Sequence, residues 1–445
     1  MNAQQIDDFL RRAVQTEPAQ HEGDVSEVVA ALDAEPGSVV IIALPNGIRT
    51  LRVFFAAHLA GYVPVLVSPS TPPARVWEVA RYLGACALVR ARIRPADFGE
   101  HEVSRLAGVE LLRFTGHRMI RHEPGHVILM SSGTSGLATG CLHSMSALLR
   151  NARRHTASIG QSAEDTVLVN LPVYYSFALV AQVLGCLTAG SRLVLSGPPF
   201  TVSDYLDAVT RHGVSISSLT PILAKTVATT GEELPKPLRA LTIGGQALDP
   251  NYVSRLIKLN PDLGVYLTYG LTEAGPRVST LAAHLEQLHR FGTVGKPLDG
   301  VEVLTRGEEL LVRSDTVYRE RVGEPAPSKR GQLIEPGLVA TGDIGFVDDD
   351  GYVTVRGRST DFAVVRGEKV SMAGVRRVAE SLPHVVRAAT RIAEDDGTLE
   401  LDVYVDDVEL PSETEMHRRL RPLLTRNERP GVVRVHPLPA GEFHK

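Results

Sequence analysis

The sequence predicts an α/β fold. It comprises a large N-terminal domain of parallel-rich sheets with helices and a small β subdomain, followed by a small mobile α+β C-terminal domain. Three observations point there. Short apolar β-branched runs alternate with helical periodicity through the first half, the order that builds parallel sheets. After about Gly292 the texture changes to short strand-like pieces separated by turn residues. The 445-residue chain is also too long for one core, so roughly two or three domains are expected.

The elements follow in order. Residues 38–44 (SVVIIAL) read as a buried strand, broken by Pro45-Asn46-Gly47. Residues 51–61 have helical periodicity and a glycine stop, and 63–67 (VPVLV) read as the next strand. Residues 127–130 (VILM) form a strand that runs into a Gly/Ser/Thr loop, with a helix over 144–155. Strand, helix and strand recur at 166–171, 177–189 and 192–196. VEVL, EELLVR and YVTVRG, between 301 and 357, predict the β subdomain. A composition break near 358–360 divides a domain over 1–357 from one over 361–445, with 358–360 as the hinge. The acidic residues 394–396 and 402–409 read as a solvated hairpin.

Composition narrows the function. Hydrophobic residues are 43% and charged residues 22%, which excludes a disordered or collagen-like chain. Lys+Arg of 47 against Asp+Glu of 51 gives a net charge of -4, with no global drive toward nucleic acid or anionic membrane. No apolar run approaches the roughly 18 residues of a bilayer span, and the N-terminus lacks the pattern of a secretory signal. Cys86, Cys141 and Cys186 show no CxxC spacing, so neither a disulfide framework nor a zinc site is expected, and a reducing cytoplasm fits.

The sharpest local signal is the stretch from Met130 to Gly140, MSSGTSGLATG, directly after a strand. Small residues let successive backbone N–H groups turn inward as an anion nest, and hydroxyls add donors. It is neither a Walker loop, which needs Gly-Lys-Ser/Thr, nor GxGxxG. Downstream come Tyr269-Gly270-Leu271-Thr272-Glu273, then Thr341-Gly342-Asp343, then Gly357-Arg358.

These motifs in this order resemble the AMP-forming adenylating superfamily: acyl- and aryl-CoA synthetases, peptide-synthetase adenylation domains and luciferases. LTIGGQAL, VGKPLDGVEV and DDDGYVTVRGR support the resemblance, which covers nearly the whole chain. It implies an AMP-forming ligase. A carboxylate attacks the α-phosphorus of ATP, pyrophosphate leaves, and a thiol such as CoA or a carrier protein takes the acyl group from the acyl-adenylate. The site must then supply positive charge and donors.

By this resemblance, Ser132, Gly133, Thr134, Ser135 and Gly136 hold the β- and γ-phosphates, and Thr272 donates to the α-phosphate. Glu273 holds Mg²⁺, with Thr134 as a second metal ligand. Tyr269 stacks on adenine opposite Gly245 and Gln246, with Gly270 beside it. Asp343 accepts the ribose hydroxyls, and Arg358 contacts ribose or phosphate. Thr272, Glu273 and Arg358 are the catalytic candidates. Tyr174, Tyr175, Ser176, Phe177, Gly244, Gly270, Leu271 and Arg277 line the acid pocket, whose aromatic content favours a small aryl acid. Arg277 is read either as a partner for an anionic substituent or as part of a surface ion pair.

The chain also departs from the family pattern. The phosphate loop continues Ala138-Thr139-Gly140 where relatives have Pro-Lys-Gly. Glu442 stands where relatives carry the lysine that bridges carboxylate and α-phosphate, with Lys445 a possible substitute. Losing one such donor costs about 2.7–4 kcal/mol. At the hinge, Thr360 precedes Asp361; Gly367 matches the thiol-tunnel glycine, with Arg366 and Lys369 facing either a phosphate or water. Three readings therefore stand. One is an aryl-acid ligase. Another is an adenylating enzyme of secondary metabolism with an unusual acid or acceptor, forming amides or activating nitrite for diazotisation of an aryl amine. The third is a non-catalytic adenylate-binding protein. A monomer or homodimer fits all three.

Overall fold

The computed structural model describes residues 2–16, 25–131, 139–197, 200–323, 331–358, 362–365, 368–393, 398–406 and 410–438. Two eight-stranded sheets dominate it. One is built on the parallel strands Val39–Ala43, Val63–Leu66, Ala85–Arg90 and His126–Met130, with antiparallel strands at both edges. Val39–Ala43 is buried at every position, which is why it reads as a continuous apolar run and not as an alternating one.

The other sheet runs parallel from Val14–Gln15 through Arg192–Leu195, Thr166–Val169, Ile216–Leu219 and Ala240–Gly244 to Gly264–Gly270. Two antiparallel strands complete it, Arg277–Ala282 and, at the edge, Lys296–Pro297. The facing sides of both sheets and the helices between them share one large apolar core. Helix ends follow local chemistry: Ser144 accepts from Ala147 N at the start of Met145–Ser158, and Thr201 accepts from Asp204 N ahead of Val202–His212, which ends on Gly213 in the left-handed region.

A five-stranded antiparallel sheet over Val301–Arg358 forms the β subdomain. Beyond it, Val365, Val375, Leu401 and Met416 belong to a separate apolar core under the sheet of Val385–Ile392, Leu399–Val405 and Val432–Pro437. The acidic segment read as a hairpin falls partly on the strand Leu399–Val405, whose Leu401, Val403 and Val405 are buried while its polar residues alternate outward. Residues 394–397 and 407–409 lie outside the described residues.

Strand boundaries match the sequence reading to within a residue or two. One element differs in kind. Residues 177–189, expected as one α-helix, open with the π-helical stretch Phe177–Leu184 and become α-helical only at Gly185–Ala189. Local widening of this sort recurs at functional sites, and Phe177 is its first residue. Among the described residues no helix is long and apolar enough to cross a membrane, and Cys86, Cys141 and Cys186 are buried and form no disulfide.

Candidate functional site

The interior strand Gly264–Gly270 carries the adenylate-type motif at its C-terminal end, where it pairs with Arg277–Ala282 through an irregularity between Tyr269 and Gly270. Such an irregularity re-aims side chains. Gly270 is obligatory here, since a Cβ would stand 2.2 Å from Pro276 O. The chain then turns through Thr272–Ala274. His143 donates its Nε2–H to Thr272 O at 3.0 Å, and burial holds its imidazole down at about 4, so it stays neutral. The Thr272 and Ser176 hydroxyls lie 3.1 Å apart.

Asp343 sits in the long strand Leu338–Val347, after Gly342 in the left-handed region. Its own N–H is held by Thr341 Oγ1 at 2.9 Å. The carboxylate, in a residue 5% exposed, accepts from Tyr269 OH at 2.6 Å. The antiparallel register sets Asp343 opposite Arg358. Two motifs separated by 74 residues are thus joined by one hydrogen bond.

These groups open on a cavity of about 520 Å³ lined by Gly245, Gln246, Tyr269, Gly270, Asp343 and Arg358, within the size range of small-molecule sites. A Cβ on Gly245 would meet nothing within 4 Å, so this wall is open backbone able to lie against a flat ring. Arg356, Arg376, Arg377 and Arg387 also face the cavity, against the carboxylates of Asp343 and Glu380. That excess of positive charge suits an anionic occupant. Sequence reading did not find Arg376, Arg377 and Arg387, because on an amphipathic helix and a strand they look like ordinary solvated positions.

Glu273 is placed differently from a simple metal ligand. It is buried, at 4% exposed, and its Oε1 lies 3.3 Å from Arg321 Nη2. Arg321 also donates to Thr139 Oγ1 at 3.1 Å and to Gly331 O at 2.8 Å. It therefore ties Glu273 to the end of the Gly/Ser/Thr loop. Its position in a three-residue edge strand, Glu320–Val322, gave no sequence signal. Among the described residues no cluster of three or more His, Cys, Asp or Glu could hold a metal ion.

The expected acid-pocket residues divide into groups. Tyr174 and Tyr175 are in ring contact at 4.7 Å, with Tyr175 40% exposed. Leu271 packs in the apolar cluster with Cys141, Ala274 and Val278. Arg277 is not part of a surface ion pair: it is 3% exposed, its guanidinium lies 3.8 Å over the Phe177 ring, and its Nη1 donates to Thr268 Oγ1 at 2.6 Å. Ser132, Gly133, Thr134, Ser135, Gly136, Ala138, Thr360, Asp361, Arg366, Gly367, Glu442 and Lys445 lie outside the described residues, as does the side chain of Lys369.

The fold is that of an α/β protein whose cavity suits an anionic small molecule. The chain belongs to the AMP-binding enzyme family, whose pattern matches residues 21–316. It is 27% identical over 410 residues to salicyl-AMP ligase / salicyl-S-ArCP synthetase of Mycobacterium tuberculosis, covering 80% of this chain and 70% of that one. It is 24% identical over 413 residues to 4-coumarate-CoA ligase 1 of Narcissus pseudonarcissus, covering 84% and 75%. Among solved structures it resembles O-succinylbenzoate coenzyme A synthetase of Bacillus subtilis in complex with AMP. That match has TM-score 0.80 and 19% identity, and covers 97% of this chain and 94% of that one.

Proposed function

We propose that this protein activates a small, aryl-type carboxylic acid with ATP, releasing pyrophosphate and forming an acyl-adenylate, and passes the acyl group to a thiol of CoA or a carrier protein. The observation that carries the reading is the Tyr269–Asp343 hydrogen bond at the wall of an arginine-rimmed cavity. In this reading Tyr269 and the open backbone of Gly245 and Gln246 receive adenine, and Asp343 takes the ribose hydroxyls. Thr272 and Arg358 meet the α-phosphate, and residues 132–136 the pyrophosphate. The relatives named above act on salicylate and 4-coumarate, both aryl acids, which supports the choice of substrate class.

Mg²⁺ belongs to the same proposal, with Glu273 and Thr134 as its protein ligands. A buried carboxylate at 4% exposure is the right donor for a hard cation. Arg321 now neutralises it, so the cation competes with a guanidinium there. The proposal includes rotation of residues 361–445 about a hinge at 358–360, supported by their separate apolar core. It also includes a cytoplasmic location, a monomer or homodimer, and no nucleic-acid partner.

The Arg321–Glu273 pair favours one second reading, a protein that binds adenylates without making them. ATP–pyrophosphate exchange over a panel of acids separates the two. Exchange above background with an aryl acid is the expected result. Tight AMP binding with no exchange for any acid selects the second reading.

A further inference from the structure

We infer that Arg277 is the anion-recognising wall of the acid pocket, and that it selects a compact carboxylic acid carrying a second anionic group. The inference deepens the adenylating function proposed above and rests on it.

Among the described residues Arg277 is an ion without a counter-ion. Among the described residues no carboxylate pairs with its guanidinium, whose side-chain hydrogen bond goes to the neutral Thr268. Its Nε is buried and donates to nothing. Burial alone pushes the guanidinium down to about 9, with no acidic group pulling the other way. Buried His155 is no counter-ion and adds no second positive charge, because burial first and then Arg277 hold its imidazole at about 3, in the neutral form. An uncompensated buried charge is costly and is normally paired. Its stabilising contacts are the Phe177 ring and the Thr268 hydroxyl. They leave most of a guanidinium's five N–H donors for another partner.

The surroundings say where that partner comes from. Thr268, which accepts from Arg277 Nη1, lines the nucleotide cavity, and so does Gly270, which pairs with Arg277 across the sheet. Gly244 keeps the approach clear: a Cβ there would stand 2.4 Å from Thr268 Oγ1 and 3.2 Å from Arg277 Nη1. Backbone exchange with Asn151, with Asn151 Nδ2 donating to Arg277 O at 2.8 Å and Arg277 N to Asn151 Oδ1 at 2.9 Å, fixes the strand at this point. The guanidinium is therefore positioned before any ligand arrives.

Phe177 follows Ser176, whose hydroxyl meets Thr272 at the reacting end. The two ends of the pocket are thus set by adjacent residues, about 3.8 Å apart at Cα. A short acid can present one carboxylate at Thr272 and a second carboxylate or a phenolate oxygen at Arg277. A long apolar tail would have to lie against the guanidinium.

Calorimetry in the presence of AMP, together with ATP–pyrophosphate exchange, tests this on matched acids: benzoate against phthalate and isophthalate, and butyrate against succinate. Wild type is expected to bind the better dianionic acid at least tenfold more tightly than its monoanionic counterpart. Arg277→Met should lose at least tenfold on the dianionic acid and abolish the preference, and Arg277→Lys, which keeps the charge, should retain part of it. AMP affinity reports whether each variant has folded. No preference in wild type, or an equal loss on all acids in Arg277→Met, overturns the inference. Preferential binding of dianionic acids without exchange sustains the role of Arg277 and removes the adenylation reading. Exchange confined to monoanionic acids does the reverse, and absence of both binding and exchange removes both.

Discussion

Replacing Asp343 by Asn should weaken AMP binding by a calculable amount and change which ligand features matter. Asp343 is almost fully buried, accepts from Tyr269 OH at 2.6 Å and faces the cavity. Asparagine keeps the shape, removes the charge and replaces one acceptor with a donor. A hydrogen bond to a charged group contributes about 1.5–3 kcal/mol. At about 1.4 kcal/mol per tenfold, AMP should bind about 10- to 150-fold more weakly. Calorimetry with AMP and 2′,3′-dideoxy-AMP assigns the loss. Wild type should discriminate between the two by about the same factor, and Asp343→Asn should bind them nearly alike. Tyr269→Phe should weaken AMP binding less, and its effect should largely vanish in the Asp343→Asn background, because contacting residues are coupled. Unchanged AMP affinity in a folded Asp343→Asn protein, or an equal loss for both nucleotides, would refute the reasoning.

Other perturbations test the surrounding frame. Arg321→Met leaves Glu273 buried without its partner, a change that costs up to about 3–5 kcal/mol; the urea midpoint should fall, and adding Glu273→Gln should recover most of it, while no recovery would show that the pair is not the cause. Gly244→Ala forces a methyl to within 2.4 Å of Thr268 Oγ1, an overpacking of about 1–3 kcal/mol; calorimetry should show acid binding weakened more than AMP binding, and the opposite order would contradict the placement of Arg277. Stability should also depend on pH through His143 and His155, which burial holds at about 4 and about 3. Below the ordinary histidine value of about 6.5 the unfolded chain takes up protons that the folded chain refuses, so their contribution is present above that pH and is lost as pH falls toward 4 and 3. Urea midpoints should therefore decline from pH 7 to pH 5, and His155→Gln should flatten that slope; an unchanged slope would show that His155 does not contribute.

Much of the fold was legible because its strands are buried on both faces. Val39–Ala43 and Thr166–Val169 are fully buried runs made mostly of β-branched residues, and a pattern of that kind survives without tertiary information. The π-helical opening of Phe177–Leu184 was not legible, since its apolar composition suits either helix type and the widening is imposed by packing. In the candidate site, Tyr269 and Asp343 could be named from their motifs, but their hydrogen bond spans 74 residues and belongs to the fold. Arg277 was ambiguous in sequence because an arginine beside a turn is normally solvated; only its place on the second strand of an antiparallel pair buries it. Arg321 carried no signal at all, since its role depends on Glu273, 48 residues upstream in sequence, approaching it in space.

The account stands or falls on where an adenine nucleotide sits. A crystal structure of the protein with saturating AMP should show the base between Tyr269 and the backbone of Gly245 and Gln246, with both ribose hydroxyls on Asp343. AMP bound elsewhere, or in this cavity with its ribose turned away from Asp343, would contradict it.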